Sequence, residues 1–196
     1  MRGDQPRSDA QVVGAAVASR SVACGAIEVP AAGARFWLAW SERGLTSAHW
    51  TVAGTGAATA LGQAHPPEGD VPEPYRNLLE RYFAGEPVEP TTLPVDLHGS
   101  PFQLKVWQAL RRIPCGQVRS YAFIAREVGS PRAMRAVGGA NGRNPVAVVV
   151  PCHRVVEADM SLGGYSGGVA YKRYLLGLEG SKLVGDHVQP GQLDLL

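Results

Sequence analysis

Cysteine is scarce in this sequence: Cys24, Cys115 and Cys152 are the only three among 196 residues. An odd number at such wide spacing is not the framework of a disulfide-stapled fold. In a reducing compartment each is a free thiol. No two of them fall, with the five histidines, at the spacing of zinc ligands. Neither a metal nor any other cofactor is expected.

Long apolar runs are missing as well. Nothing approaches the ~18 residues of a membrane-crossing helix, so no membrane partner is expected. The short apolar patch from Val12 to Ala18 follows Asp4 and Asp9, where a secretory leader would carry positive charge. Residues 1–19 therefore read as a flexible tail, and the expected compartment is cytoplasmic.

Acidic residues are nearly absent from one stretch. Residues 100–143 carry eight Lys/Arg against the single Glu127, whereas the whole chain has a net charge of only +2. All but Lys105 of those cations are arginine, which suits bidentate phosphate contacts. A basic block in a near-neutral chain is a candidate polyanion surface, although a solubilising helix face would look the same.

What is present organises around these gaps. Arg35–Trp40 is an apolar, aromatic-rich strand, Gly44 punctuates it, and Leu45–Val52 can return as a hairpin. Gly54–Gly69 reads as a long loop. A helix is predicted over Pro74–Ala84, with Tyr75, Leu78, Leu79 and Tyr82 on one face and Gly85 as its stop. This is a small α/β unit, residues 20–92, closed by the connector Pro90–Pro94.

Residues 93–180 read as mainly helical. Ser100-Pro101-Phe102-Gln103 is a capping box with proline in the first turn, and Phe102, Val106, Leu110 and Ile113 form the buried stripe. Pro114-Cys115-Gly116 breaks that helix. Ser120 can cap a second helix carrying Tyr121, Ile124, Ala125 and Val128, with Gly129 after it. A third helix is expected to start at Ser130-Pro131. Two helices joined by a glycine-containing turn form a helix-turn-helix pattern, and its place in the basic block favours DNA.

The third helix, Arg135 to Gly142, is almost bare of side chains. Each glycine inside a helix costs ~1 kcal/mol relative to alanine, so something must approach the backbone closely. A neighbouring helix would do this, and so would a nucleic-acid groove; small residues suit the narrow minor groove. Val146–Val150, between Pro145 and Pro151, reads as a short buried strand. Residues 181–196 are a tail with no readable role.

After that run comes Pro151-Cys152-His153-Arg154-Val155-Val156. A histidine can lower the pKa of a thiol or take its proton. Adjacent residues do not face each other on a regular element, so the pair needs a turn or a bridging water. A buried cysteine beside a satisfied histidine is the competing reading.

The hexapeptide resembles the active-site signature of the O6-alkylguanine-DNA alkyltransferases, and the resemblance extends from about Ser100 to Glu179. Ser100 to Gln103 with Val106-Trp107 looks like the entry to that family's C-terminal domain. Arg135-Ala136-Val137-Gly138 is similar to its recognition helix, and Asn144-Pro145 stands at the right distance before the signature. Gly164-Tyr165-Ser166-Gly167-Gly168 resembles its substrate loop, and Lys172 through Leu175-Leu176 to Glu179 its closing helix. The first 99 residues match in outline. Cys115 departs from the pattern, since relatives often carry an aromatic residue there.

The resemblance implies a ribonuclease H-like α/β domain followed by a helical domain with a winged-helix-like helix-turn-helix. It implies repair by irreversible, single-turnover transfer of an alkyl group from O6-alkylguanine, with O4-alkylthymine as a further substrate, after base flipping. Cys152 would accept the alkyl group, His153 would take the thiol proton through a water, and Glu179 would orient His153. Tyr121 would donate to the guanine and Asn144 would brace the turn. Arg135 would fill the gap in the duplex, with Ala136, Gly138, Gly139, Ser120 and Arg143 along the minor groove. Met134, Val155, Tyr165, Ser166, Gly167 and Gly168 would form the pocket, the backbone of Cys152 and Val155 and the Ser166 amide reading the base edge. The expected partner is double-stranded DNA, bound by a monomer that can cooperate along it. Competing readings are a passive lesion reader, a thiol hydrolase and a plain DNA-binding regulator.

Overall fold

The computed structural model describes residues 23–52 and 68–189. The N-terminal tail, most of the Gly54–Gly69 loop and the last seven residues lie outside them.

Three antiparallel strands form a meander: β1 (Ala23–Val29), β2 (Ala34–Ser41) and β3 (Gly44–Val52), with β2 in the centre. Sequence reading found β2 and β3 and passed over β1, whose small residues carry little alternation. Gly25 explains part of that composition: a Cβ there would lie 2.4 Å from the Gly69 carbonyl oxygen. Phe36 and Leu38 point into the main core, while Trp37 and Ala39 join Cys24 in a small cluster on the other face.

Helix α1 (Glu73–Phe83) covers the sheet with Tyr75, Leu79, Tyr82 and Phe83 buried, and Gly85 follows at φ +82°. The connector then runs beside β3: Leu45 donates to the Pro94 carbonyl and Asp96 to that of Leu45. Arg111 pins it by donating to the carbonyls of Thr91 and Leu93.

Helix α2 (Pro101–Leu110) starts with the expected capping box. Ser100 Oγ accepts from the Gln103 amide, and the Gln103 side chain accepts from the Ser100 amide. Val106, Trp107 and Leu110 are buried, as is Ile113 beyond the helix, while Phe102 is half-buried. A short strand, β4 (Arg119–Ser120), leads into α3 (Tyr121–Glu127), which Ser120 caps at the Phe123 amide.

Helix α4 (Met134–Gly142) begins later than expected. Ser130 to Ala133 form a turn instead, closed by the Ala133 amide on the Ser130 carbonyl. Pro131 serves that turn at its second position, where its fixed φ fits. Trp107 Nε1 donates to the Ala140 carbonyl and ties α2 to α4.

The four valines of Val146–Val150 are buried and Ala147 is half-buried, but the run is not a strand. Val146 makes one bridge to Ala48, then the chain folds back so that the Val150 amide reaches the Val146 carbonyl. Val148 sits at φ +70° in the middle of this turn, a costly conformation for a β-branched residue. The valine run measured burial, and the turn is imposed by Asn144: its Oδ1 accepts from the Val146 amide and its Nδ2 donates to the Val150 carbonyl.

Strand β5 (Val155–Val156) pairs in parallel with β4, and α5 (Val169–Leu178) closes the site. Part of the supposed C-terminal tail is structured: β6 (Leu183–Val184) and β7 (His187–Val188) form a hairpin. Val188 packs with Val118, Val156, Leu162 and Leu176, and Leu162 donates to the Asp186 carbonyl. One larger core runs without a break from Ile27 in the sheet to Leu175 in α5.

Candidate active site

Cys152 opens a single 3-10 turn, Cys152–Arg154, directly after the Asn144-braced turn. It is 1 % exposed. Asn144 Nδ2 lies 3.0 Å from the sulfur, with the Val150 carbonyl as its second acceptor. The side chain expected to brace the turn therefore also touches the Cys152 sulfur. Burial pushes the thiol pKa up, against the pull of the Asn144 amide, the Lys172 ammonium and the Tyr165 hydroxyl. A thiol in that state needs a base before it can attack.

His153 is fully buried, and burial holds its pKa below the ordinary value, so the ring is neutral at pH 7. Its Nε2 lies 3.0 Å from Glu179 Oε1. Glu179 is held far below the usual carboxylate range, against its own burial, by His153 and Arg154. An ionised carboxylate only accepts, so Nε2 must carry the ring proton and Nδ1 the lone pair. Nδ1 is buried and has no partner among the described residues, which is the state required of a general base.

Glu179, just past the end of α5, is the hub. Arg154 Nε lies 3.1 and 3.0 Å from its two oxygens, and the outer guanidinium nitrogen Nη2 is 2.8 Å from Oε1. The Tyr82 hydroxyl donates to Oε1 at 2.6 Å, and the Gly116 amide donates to Oε2 at 3.4 Å. Arg154 also reaches Glu89 and the Ile113 carbonyl. Sequence reading missed Tyr82, Glu89 and Arg154 as members of the site. The position of Arg154 inside the hexapeptide was the one available signal.

Lys172 is buried and donates to the carbonyls of Val155 and Leu162. Burial brings its pKa down to about 8. Cys115 stands off the line of chemistry: it is half-buried, and burial raises its thiol to about 11.

A cavity of about 230 Å³ is lined by Tyr121, Gly138, Asn141, Gly142, Gly164, Tyr165 and Ser166. Three expected residues thus meet there: Tyr121, Tyr165 and Ser166, together with Gly138. Four others do not line it. Met134 is 49 % exposed on the first turn of α4; helical geometry carries the lining through Gly138 and Asn141 instead. Val155 lies buried behind, its amide bonded to the Cys152 carbonyl. Gly167 abuts the Tyr165 and Trp50 rings, where a Cβ would come within 2.9 Å. Gly168 caps α5 at φ +97°, a conformation glycine adopts at little cost.

The outer side of α4 presents Met134, Arg135 and Ala136, all exposed. Val137, Ala140 and Asn141 face inward. A Cβ on Gly142 would meet nothing within 4 Å, and one on Gly138 would only touch the Tyr121 ring at 4.0 Å. Among the described residues no neighbouring helix explains those two glycines. Gly139 is tighter, since its Cβ would press on the Arg143 guanidinium at 3.3 Å. The Ser120 hydroxyl is engaged as the cap of α3. Within the basic block, Arg111 is spent on the connector and Arg119 on Phe123, 5.3 Å below it. Lys105, Arg126, Arg132 and Arg135 remain exposed.

Comparison with known proteins agrees with this geometry. Residues 101–181 match the 6-O-methylguanine DNA methyltransferase DNA binding domain, and residues 25–97 match the ribonuclease-like domain of the same protein family. The methylated-DNA–protein-cysteine methyltransferase of Salmonella typhimurium is 53% identical over 106 residues, 54% of this chain and 62% of the relative. That of Mycobacterium bovis is 53% identical over 108 residues, 55% of this chain and 65% of the relative. The matched stretch thus spans just under two thirds of each relative's length. The crystal structure of Mycobacterium tuberculosis O6-methylguanine methyltransferase superimposes with a TM-score of 0.67 at 41% identity, over 80% of this chain and 92% of that one. A structure of the M. tuberculosis protein in complex with DNA gives 0.65 at 38% identity, over 81% and 92%. The chain therefore belongs to the 6-O-methylguanine DNA methyltransferase family.

Proposed function

We propose that this chain repairs DNA by moving an alkyl group from O6 of guanine to the sulfur of Cys152, where it stays. The observation that carries this reading is the buried order Cys152, His153, Glu179, in which the nitrogen His153 Nδ1 has no partner among the described residues and the carboxylate fixes its tautomer.

In the reaction His153 takes the Cys152 proton through one water. The thiolate attacks the alkyl carbon, the carbon–O6 bond breaks, and its electron pair leaves with the guanine. Tyr121 supplies a hydrogen bond to the base as that charge develops. Nothing in this sequence of steps regenerates the thiol, so one molecule repairs one lesion. An O6 substituent inside the stack is out of in-line reach, hence the base must flip into the cavity. Arg135 fills the gap, and the bare face of α4 lies along the minor groove of double-stranded DNA. O4-alkylthymine is a second substrate. The working division is residues 20–92 as the N-terminal domain and 93–180 as the reactive one.

The test is intact mass after incubation with an oligonucleotide carrying O6-methylguanine. One added methyl group, absent in Cys152→Ala, is the expected result. Turnover without modification would mean a thiol hydrolase, and binding without modification a passive reader.

A further inference from the structure

We propose that Trp50, on β3 of the N-terminal sheet, is a positioning residue for the transfer: its indole N–H bonds to the Tyr165 hydroxyl oxygen and so aims the Tyr165 O–H at the Cys152 sulfur. The proposal rests on the alkyltransferase reading of Cys152 and adds to it a part for the N-terminal half in readying the thiol.

Trp50 is buried. Its ring lies flat on Tyr171 of α5, with centroids 4.6 Å apart and planes 3° from parallel. It meets Phe36 of β2 and Phe83 of α1 edge to face, at 5.0 and 5.4 Å. Three elements thus fix the plane of the indole, and with it the direction of its N–H. The loop that carries Tyr165 comes up against this ring. A Cβ on Gly167 would lie 2.9 Å from Tyr165 Cε1 and 3.1 Å from Trp50 Cδ1, the indole carbon bonded to Nε1. Gly167 is not among the glycines at positive φ, so its bareness answers to the approach of the two rings.

Trp50 Nε1 and the Tyr165 hydroxyl are both buried, and neither meets a partner at full hydrogen-bond geometry among the described residues. The hydroxyl interacts with the Trp50 N–H and with the Cys152 sulfur. Pairing indole and hydroxyl satisfies both, whereas leaving them apart costs each its desolvation. The direction follows from the groups. An indole nitrogen can only donate, so the tyrosine oxygen accepts and its own hydrogen is left for the sulfur. An O–H held in that way favours the thiolate over the thiol. The Asn144 amide, the Lys172 ammonium and the Tyr121 hydroxyl also bear on that sulfur.

The experiment titrates the Cys152 thiolate by its ultraviolet absorbance, as the difference from Cys152→Ala. Intact mass gives the rate of single-turnover benzyl transfer from free O6-benzylguanine. Trp50→Phe keeps a ring against Tyr171 and removes the N–H. It should move the thiolate titration to higher pH and slow transfer about fivefold, the worth of one such bond. Tyr165→Phe leaves the indole in place and should shift the titration in the same direction. Adding Trp50→Phe to it should then change the titration no further. A role in packing alone would give Trp50→Phe the same effect in both backgrounds, and that result overturns the proposal. So does an unmoved titration in Trp50→Phe. If the unaltered protein takes up no benzyl group, the alkyltransferase reading fails, whereas the titration still decides whether Trp50 acts on Cys152 through Tyr165.

Discussion

The hydroxyl of Tyr82, on the helix that packs against the N-terminal sheet, donates to Glu179 Oε1 across 97 residues of sequence, at 2.6 Å. The same oxygen faces His153 Nε2. The N-terminal half is therefore wired to His153 through one carboxylate. The charged groups that bear on His153 are Glu179, Arg154 and Lys172. In Tyr82→Phe one donor to Glu179 is gone, and more of its negative charge falls on the His153 ring. The His153 pKa rises toward its ordinary value.

On the proposed reading transfer needs neutral His153, so the rate falls as pH drops through that pKa. The acid limb of the rate profile should move to higher pH in Tyr82→Phe, by at most about 0.7 unit for a bond worth ~1 kcal/mol. A purely structural loss would lower the rate by the same factor at every pH. Single-turnover rates between pH 5 and 8 separate the two.

That contact shows where sequence reading stops. Elements with local causes were legible: the Ser100–Gln103 box, the Ser120 cap, the Gly85 stop and the apolar face of α1 each depend on residues within a few positions. The grouping of Cys152, His153 and Glu179 came from a family resemblance, because Glu179 lies 26 residues from the histidine it contacts. Tyr82 and Glu89 could not be found this way, since their roles exist only once the halves pack together. The Val146–Val150 run misled because hydrophobicity reports burial and says little about hydrogen bonding; Asn144 before Pro145 was the local hint of a turn. The hairpin of β6 and β7 has two-residue strands held by contacts with Met160, Leu162 and Arg173, and nothing local announces it.

Glu179 also sets an expectation for acid stability. Its folded pKa lies below the unfolded value of ~4.3, so its stabilisation is present above that pH and is lost as pH falls through and below it. Glu179→Gln removes this component and leaves Arg154, fully buried, facing Glu89 alone. Breaking a buried pair in this way costs about 3–5 kcal/mol. Thermal unfolding should show a much lower Tm for the variant at pH 7, and the gap should narrow between pH 5 and 3. His153, whose folded pKa is lowered, adds a decline that starts below ~6.5 in both proteins. A gap independent of pH would mean that Glu179 is not ionised in the folded chain.

Gly138 separates stability from DNA binding with opposite signs. It lies inside α4, where alanine is favoured over glycine by ~1 kcal/mol. A Cβ there meets only the Tyr121 ring, at an ordinary 4.0 Å, so Gly138→Ala should raise the Tm by a few degrees, the shift that ~1 kcal/mol gives in a domain of this size. On the proposed reading the same methyl group intrudes where the groove and the flipped nucleotide approach the helix. Transfer from duplex DNA should then slow, while reaction with a free O6-benzylguanine base slows less. Arg135→Ala should share the duplex-specific loss without the gain in stability, because its side chain acts in the duplex and is exposed in the free protein. Equal losses on duplex and free base in Gly138→Ala would show that the methyl group disturbs Tyr121 and the pocket, and that α4 does not lie against DNA through this glycine.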